Sequence, residues 1–222
     1  VQAETFEQAG EAKDEAVTEA AASHGHHATD HAHAAHAHAE EHSHAGWAPE
    51  DGWQRHVSTA AANLVMAAGF ALMLAGLLGW KNPASWRAGL GWGAAGYAVF
   101  FLAPALGLPP ELPGTAAADL ALRQAWWVAT ALATAVGLAL LVWARPWWLK
   151  VVGLIALAIP HVVGAPHPET AFALAPEALA QQFIVATAAA NALFWLVLGF
   201  VLALLHVRGR RQLADVEYGM AL

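Results

Sequence analysis

Nine of the thirteen histidines in this chain fall between residues 24 and 44, in the segment SHGHHATDHAHAAHAHAEEHSH. They are His24, His26, His27, His31, His33, His36, His38, His42 and His44. Four His-x-His pairs stand out: His24/His26, His31/His33, His36/His38 and His42/His44. In an extended backbone, residues two apart point to the same side, so each pair can offer two imidazoles to one ion. Asp30, Glu40 and Glu41 add oxygen donors. Nitrogen and carboxylate donors suit Co(II), Ni(II), Zn(II) or Cu(II), with geometry and supply choosing among them. The chain has no cysteine, so thiolate sites for soft ions are excluded. An affinity tag or a solvated spacer is the competing reading. Tags are usually unbroken His runs, whereas alanine interrupts this tract, so metal capture is the expectation.

The rest of the chain must position that tract, and its composition sets the class. Hydrophobic residues make up 58% and charged residues only 12% of the 222 residues, too apolar for a soluble domain of this size. The net charge of −7 arises mostly from acids ahead of residue 51, and no basic patch suggests nucleic acid. Absence of cysteine also removes c-type haem and iron–sulfur chemistry. The first residue is Val1, and the opening stretch has no signal-like apolar core. Residues 1–50 lack the apolar surface needed for a core and are expected to be largely disordered without metal, with a short helix at Phe6–Ala22.

Windows of about 20 apolar residues mark five spans. They run from about Val57 to Trp80, Trp86 to Leu106, Gln124 to Trp143, Trp147 to Val163 and Phe183 to His206. Residues 51–207 thus form a transmembrane helical domain, and 208–222 a cytoplasmic tail. Tryptophans near the span ends act as interfacial anchors. Placing the Trp80–Trp86 turn, the Ala144–Trp148 turn and the tail on one side collects Lys81, Arg87, Arg145, Lys150, Arg208, Arg210 and Arg211 there. The other side holds Lys13, Arg55 and Arg123. Seven against three puts the tail in the cytoplasm and the His tract outside. The outer stretch LAPALGLPPELPG carries four prolines, which oppose a regular helix. A short helix over Thr115–Gln124, with Asp119 and Arg123 paired at i,i+4, and another near Pro176–Gln182 are expected to follow the two outer loops.

Three further histidines lie on the side of the tract: His56 at the start of the first span, His161 and His167 at the end of the fourth. Pro160, Pro166 and Pro168 stiffen the backbone around that pair. Together they are candidates for an entry site at the membrane mouth, with Glu111 or Asp119 nearby. Hydrogen bonding to loop carbonyls is the plainer role. Asn63 and Asn191 sit inside spans, and an interhelical hydrogen bond is the expected use of each, ahead of a place in an ion pathway. Gly91-Trp-Gly93-Ala-Ala-Gly96 matches GxGxxG but follows no strand, so its content is small residues for close helix contact. Gly89 and Gly93, and the stripe Ala71, Ala75 and Gly79, read the same way. No Walker A sequence is present.

The order of segments is distinctive: a His-rich stretch, WAPEDGWQR, WRAGLGWGAAGYAVFFLAPALGLPPELPG, AADLALRQAWW, LIALAIPHVVGAPHP and NALFWLVLG. It resembles the CbtA family of bacterial cobalt-transporter membrane proteins, from Trp47 to Leu205. The resemblance implies uptake of cobalt across the bacterial inner membrane, a small one-span His-bearing partner protein, and a sixth span ahead of the His segment. The tail RGRRQLADVEYGMAL lies outside it. The combined expectation is an all-α integral membrane protein of about five spans, not an enzyme. It takes up a divalent metal, foremost Co2+, with Ni2+ or Zn2+ as alternatives and no organic cofactor. A metal receptor or assembly factor that does not itself transport would need the same ligands. A haem b oxidoreductase would use His56 and His161 as axial ligands, although no span carries a histidine at mid-depth.

Overall fold

The computed structural model describes residues 52–83, 85–170 and 172–220. The chain divides into two compact units, one ending at Phe70 and the other comprising Ala71–Leu222. Helix α1 spans Trp53–Lys81. Helix α2 runs over Trp86–Ala105 and includes a π-helical turn at Ala98–Leu102. Helix α3 is Leu120–Trp143, α4 is Trp147–Val163 and α5 is Glu177–Met220. No strand forms among the described residues. Four of the helices are long and apolar enough to cross a membrane. Helix α4, with 17 residues, reaches about 26 Å and stands at the short end of that range. The expected all-α membrane architecture is therefore what the chain adopts, with a helix at each of the five expected positions, four of them of spanning length.

Small residues set the packing of the unit from Ala71 onward. Gly89 of α2 lies against Gly199 and Ala203 of α5, and Gly93 lies against the backbone of Trp195 and Leu196. As α2 advances, its partners on α5 recede, so the two helices are antiparallel. Gly137 and Gly153 bring α3 and α4 together in the same way, each within reach of the other's carbonyl. Without a hydrophobic force between helices in lipid, such close backbone contact supplies the van der Waals attraction that joins them. Trp195 is buried in this contact, stacked on Phe100 with centroids 5.4 Å apart. The second small stripe does not behave as expected. Gly79 has open space beside it, and α1 instead packs through Leu74 and Leu78 against Ala203. Large side chains at i and i+4 reach a neighbour that the small stripe cannot.

Several boundaries depart from expectation. Pro104 stays within α2, because the preceding π turn makes room for its ring. The segment Thr115–Asp119 is not helical. Asp119 caps α3 instead, accepting a hydrogen bond from the Leu122 amide at 3.0 Å. The expected Asp119–Arg123 pair therefore does not form. The helix expected near Pro176–Gln182 is the opening of α5, a single 44-residue helix about 66 Å long. It overruns the bilayer's apolar core of about 30 Å, so residues 208–220 continue as helix.

Loops sort to two ends of this unit. At one end, Asn82 adopts a left-handed conformation (φ 49°) after α1, and its Oδ1 lies 3.1 Å from His206 Nε2. The Arg210 guanidinium donates to the Pro83 carbonyl at 3.2 Å. The C-terminal half of α5 thus braces the α1–α2 turn. At the other end, the two connecting loops pair with each other. An isolated antiparallel bridge joins Thr115 to Ala173, with Ala116 N–H donating to Phe172 O and Leu174 N–H to Gly114 O. Gly114 has φ 79°, and Leu174 covers the place where its side chain would be, so glycine is required there on both counts.

Candidate functional site

The nine tract residues, His24, His26, His27, His31, His33, His36, His38, His42 and His44, lie outside the described residues, as does the expected Phe6–Ala22 helix. His56 stands on the first turn of α1, where its amide donates to the Gly52 carbonyl at 3.2 Å. It belongs to the unit that ends at Phe70.

His161 and His167 occupy the paired-loop end of the other unit. The geometry around His161 is built from α3 outward. Trp126 lies near the start of α3, and its indole N–H donates to the Pro160 carbonyl at 3.3 Å. That carbonyl also accepts from the Gly164 amide at 3.0 Å, ending α4. The Trp126 ring meets the His161 imidazole edge-on, with centroids 6.1 Å apart. His161 itself is exposed, so the indole orients it without burying it. Gly164 then turns the chain with φ 85°, and His167 follows in the loop. Trp126, read as an interfacial anchor, is also the clamp that fixes the end of α4.

The facing loop supplies a carboxylate that is already engaged. Glu111 pairs with Arg123 of α3 at 2.9 Å, each side chain 29% exposed. The pair rims a cleft of about 580 Å3 between that loop and α3, floored by Phe100, Pro104 and Trp127. Asp119 is committed to its helix cap. Among the described residues no three His, Asp or Glu side chains converge on one point. The structure thus brings His161, His167 and the Glu111–Arg123 pair to one end of one unit, without a closed ligand set.

The two span asparagines separate. Asn63 is exposed on α1. Asn191 donates from Nδ2 to the Thr187 carbonyl of its own helix at 3.0 Å, in place of the expected interhelical bond. The buried polar groups are instead Thr130 and Thr134 on α3. Their hydroxyls donate to Trp126 O at 2.8 Å and Thr130 O at 2.7 Å, satisfying each within the helix. With Gly137 they share one face at i, i+4 and i+7, a spacing present in the sequence but not singled out.

Four or five apolar helices, close glycine contacts and paired polar loops define a multi-pass α-helical membrane protein. The family model described as "Probable cobalt transporter subunit (CbtA)" matches residues 1–207, and the chain belongs to that family. No curated protein and no solved structure matches it.

Proposed function

We propose that this chain mediates uptake of a divalent transition metal, with Co2+ the leading cargo and Ni2+ or Zn2+ the alternatives. The observation that carries the reading is the extent of the family match, which takes in the His tract, the first four helices and α5 as far as residue 207. In this reading the tract concentrates ions outside the cell. His161 and His167 receive them at the membrane mouth, and His56 stays a separate candidate ligand. The orientation of His161 by Trp126 supports that role, because a fixed imidazole loses less freedom when it binds an ion. Glu111, at the rim of the neighbouring cleft, would exchange Arg123 for the arriving cation. The ion then passes between helices lined by small residues. The chain carries no nucleotide motif, so a partner protein, foremost a one-span His-bearing one, or the membrane potential supplies the energy. The setting is the bacterial inner membrane, with the tract extracytoplasmic.

Co2+ uptake into proteoliposomes, measured against concentration, tests this. The full chain, with its partner if one copurifies, should accumulate Co2+. Deleting residues 24–44 should raise the half-saturating concentration and leave the limiting rate largely intact. Tight Co2+ binding with no accumulation under an imposed potential would replace transport with a receptor or assembly role.

A further inference from the structure

At the end opposite the paired loops, α1, α2 and α3 enclose an open groove of about 630 Å3. It extends from Met73 to Trp80 on α1, from Gly91 to Val99 on α2 and from Ala135 to Trp143 on α3. Eight or nine residues of each helix correspond to about 12 Å of depth below the membrane interface. The walls are apolar almost throughout, and glycine and alanine on α2 and α3 leave the space unfilled. A single cation, Lys81, stands at the rim. Its ammonium lies 4.0 Å from the ring centroid of Trp80 and 4.2 Å from that of Trp143. Two indoles from different helices thus hold one positive charge at the mouth of an apolar slot. Trp143 is itself braced by Trp92, centroids 5.6 Å apart. Among the described residues no carboxylate pairs with Lys81.

We propose that this groove binds an anionic phospholipid, with one acyl chain between α1, α2 and α3 and the phosphate on Lys81. The argument is charge complementarity joined to polarity along the depth axis. An acyl chain suits a narrow apolar slot open to the bilayer, and a phosphate suits a fixed ammonium where the slot meets the interface. Cation–π contact holds the ammonium in place while leaving its N–H donors available on the solvent side. The same end of the unit also carries Arg87 and Arg210, so the surrounding field favours an anion there. A transmembrane helix from another chain would fill the slot less well, since a helix is about 10 Å across and would leave Lys81 without a counter-charge.

The test is native mass spectrometry of the purified full chain after exchange with phosphatidylglycerol or phosphatidylcholine at equal concentration. Phosphatidylglycerol should be retained about fivefold more, the worth of one lysine beside an anionic lipid. Lys81→Gln should remove the preference and Lys81→Arg should keep it. Ala139→Phe should fill the groove and lower retention of both lipids while leaving Lys81 in place. Excess inorganic phosphate should not displace the lipid. Equal retention of the two lipids by the unaltered chain, or a preference that survives Lys81→Gln, overturns the proposal. So does displacement by free phosphate, which would mark a simple anion site, or cross-linking of two copies through a cysteine at Ala139. None of these readings depends on cobalt, so they stand or fall apart from the uptake reading.

Discussion

At the scale of single residues, energetic size separates structural groups from candidate ligands. The Glu111–Arg123 pair is partly exposed, and such pairs contribute about 0–1 kcal/mol. Its presence therefore says little about stability and leaves the carboxylate exchangeable. Exposed His161 is held edge-on by Trp126 and buries little. We expect His161→Ala and His167→Ala to leave the melting temperature almost unchanged, as surface substitutions usually shift stability by less than about 0.5 kcal/mol. Each should nevertheless depress the limiting rate of Co2+ uptake even at saturating metal, because an ion shedding water would then lack a ligand. Uptake against concentration at matched protein levels checks this. Full limiting rates in both variants would reduce the two histidines to interfacial structure. Glu111 could not have been paired with Arg123 from spacing, since the partners are 12 residues apart and the proline loop between them sets the approach. Asp119 was legible as a charged neighbour of Arg123, but a cap satisfies an otherwise orphaned amide, and that competing use prevailed.

At the scale of elements, the spans were legible because a bilayer imposes one length and one polarity on every helix that crosses it. What lay beyond the apolar windows was less so. Residues Glu177–Gln182 are polar at both ends, and hydropathy alone cannot tell whether they start a helix that continues into the membrane. The bridge between Thr115 and Ala173 joins loops far apart in sequence, and no local pattern announces it. Small residues gave a mixed signal. Gly89 and Gly93 form the α2–α5 contact, whereas Gly79 forms none. The difference rests on whether a neighbouring helix presents its own backbone at that height. A side chain at Gly93 would strike the Trp195 carbonyl, and the backbone on both sides has little room to give. Gly93→Leu is expected to separate α2 from α5 and destabilise the fold by at least the ~1–3 kcal/mol typical of overpacking. Gly79→Leu, meeting open space, should be nearly neutral. Thermal unfolding of the two variants in one detergent provides the comparison, and equal losses would mean the helix contact is misassigned.

At the scale of the whole molecule, function depends on which way the protein faces. The unit from Ala71 onward gathers its loops at two ends: the α1–α2 turn against the far part of α5, and the two proline-bearing loops against each other. The first end carries Lys81, Arg87 and Arg210, and the basic residues of the remaining turn and the tail follow from the same alternation of spans. Lys/Arg bias in short loops fixes orientation by retaining positive charge in the cytoplasm. On that rule His161 and His167 are expected to face outward, and the tract with them. A cysteine introduced as Ala35→Cys tests this directly, because the chain contains no other thiol. In intact cells it should react with a membrane-impermeant thiol reagent. A second cysteine variant, Leu213→Cys, toward the end of α5, should react only after lysis. If the two patterns are reversed, the histidines face the cytoplasmic supply, and export becomes the direction the same ligands serve. If both sites react only after lysis, the tract and the tail share one side, which requires an even number of crossings and removes one of the five helices from the membrane.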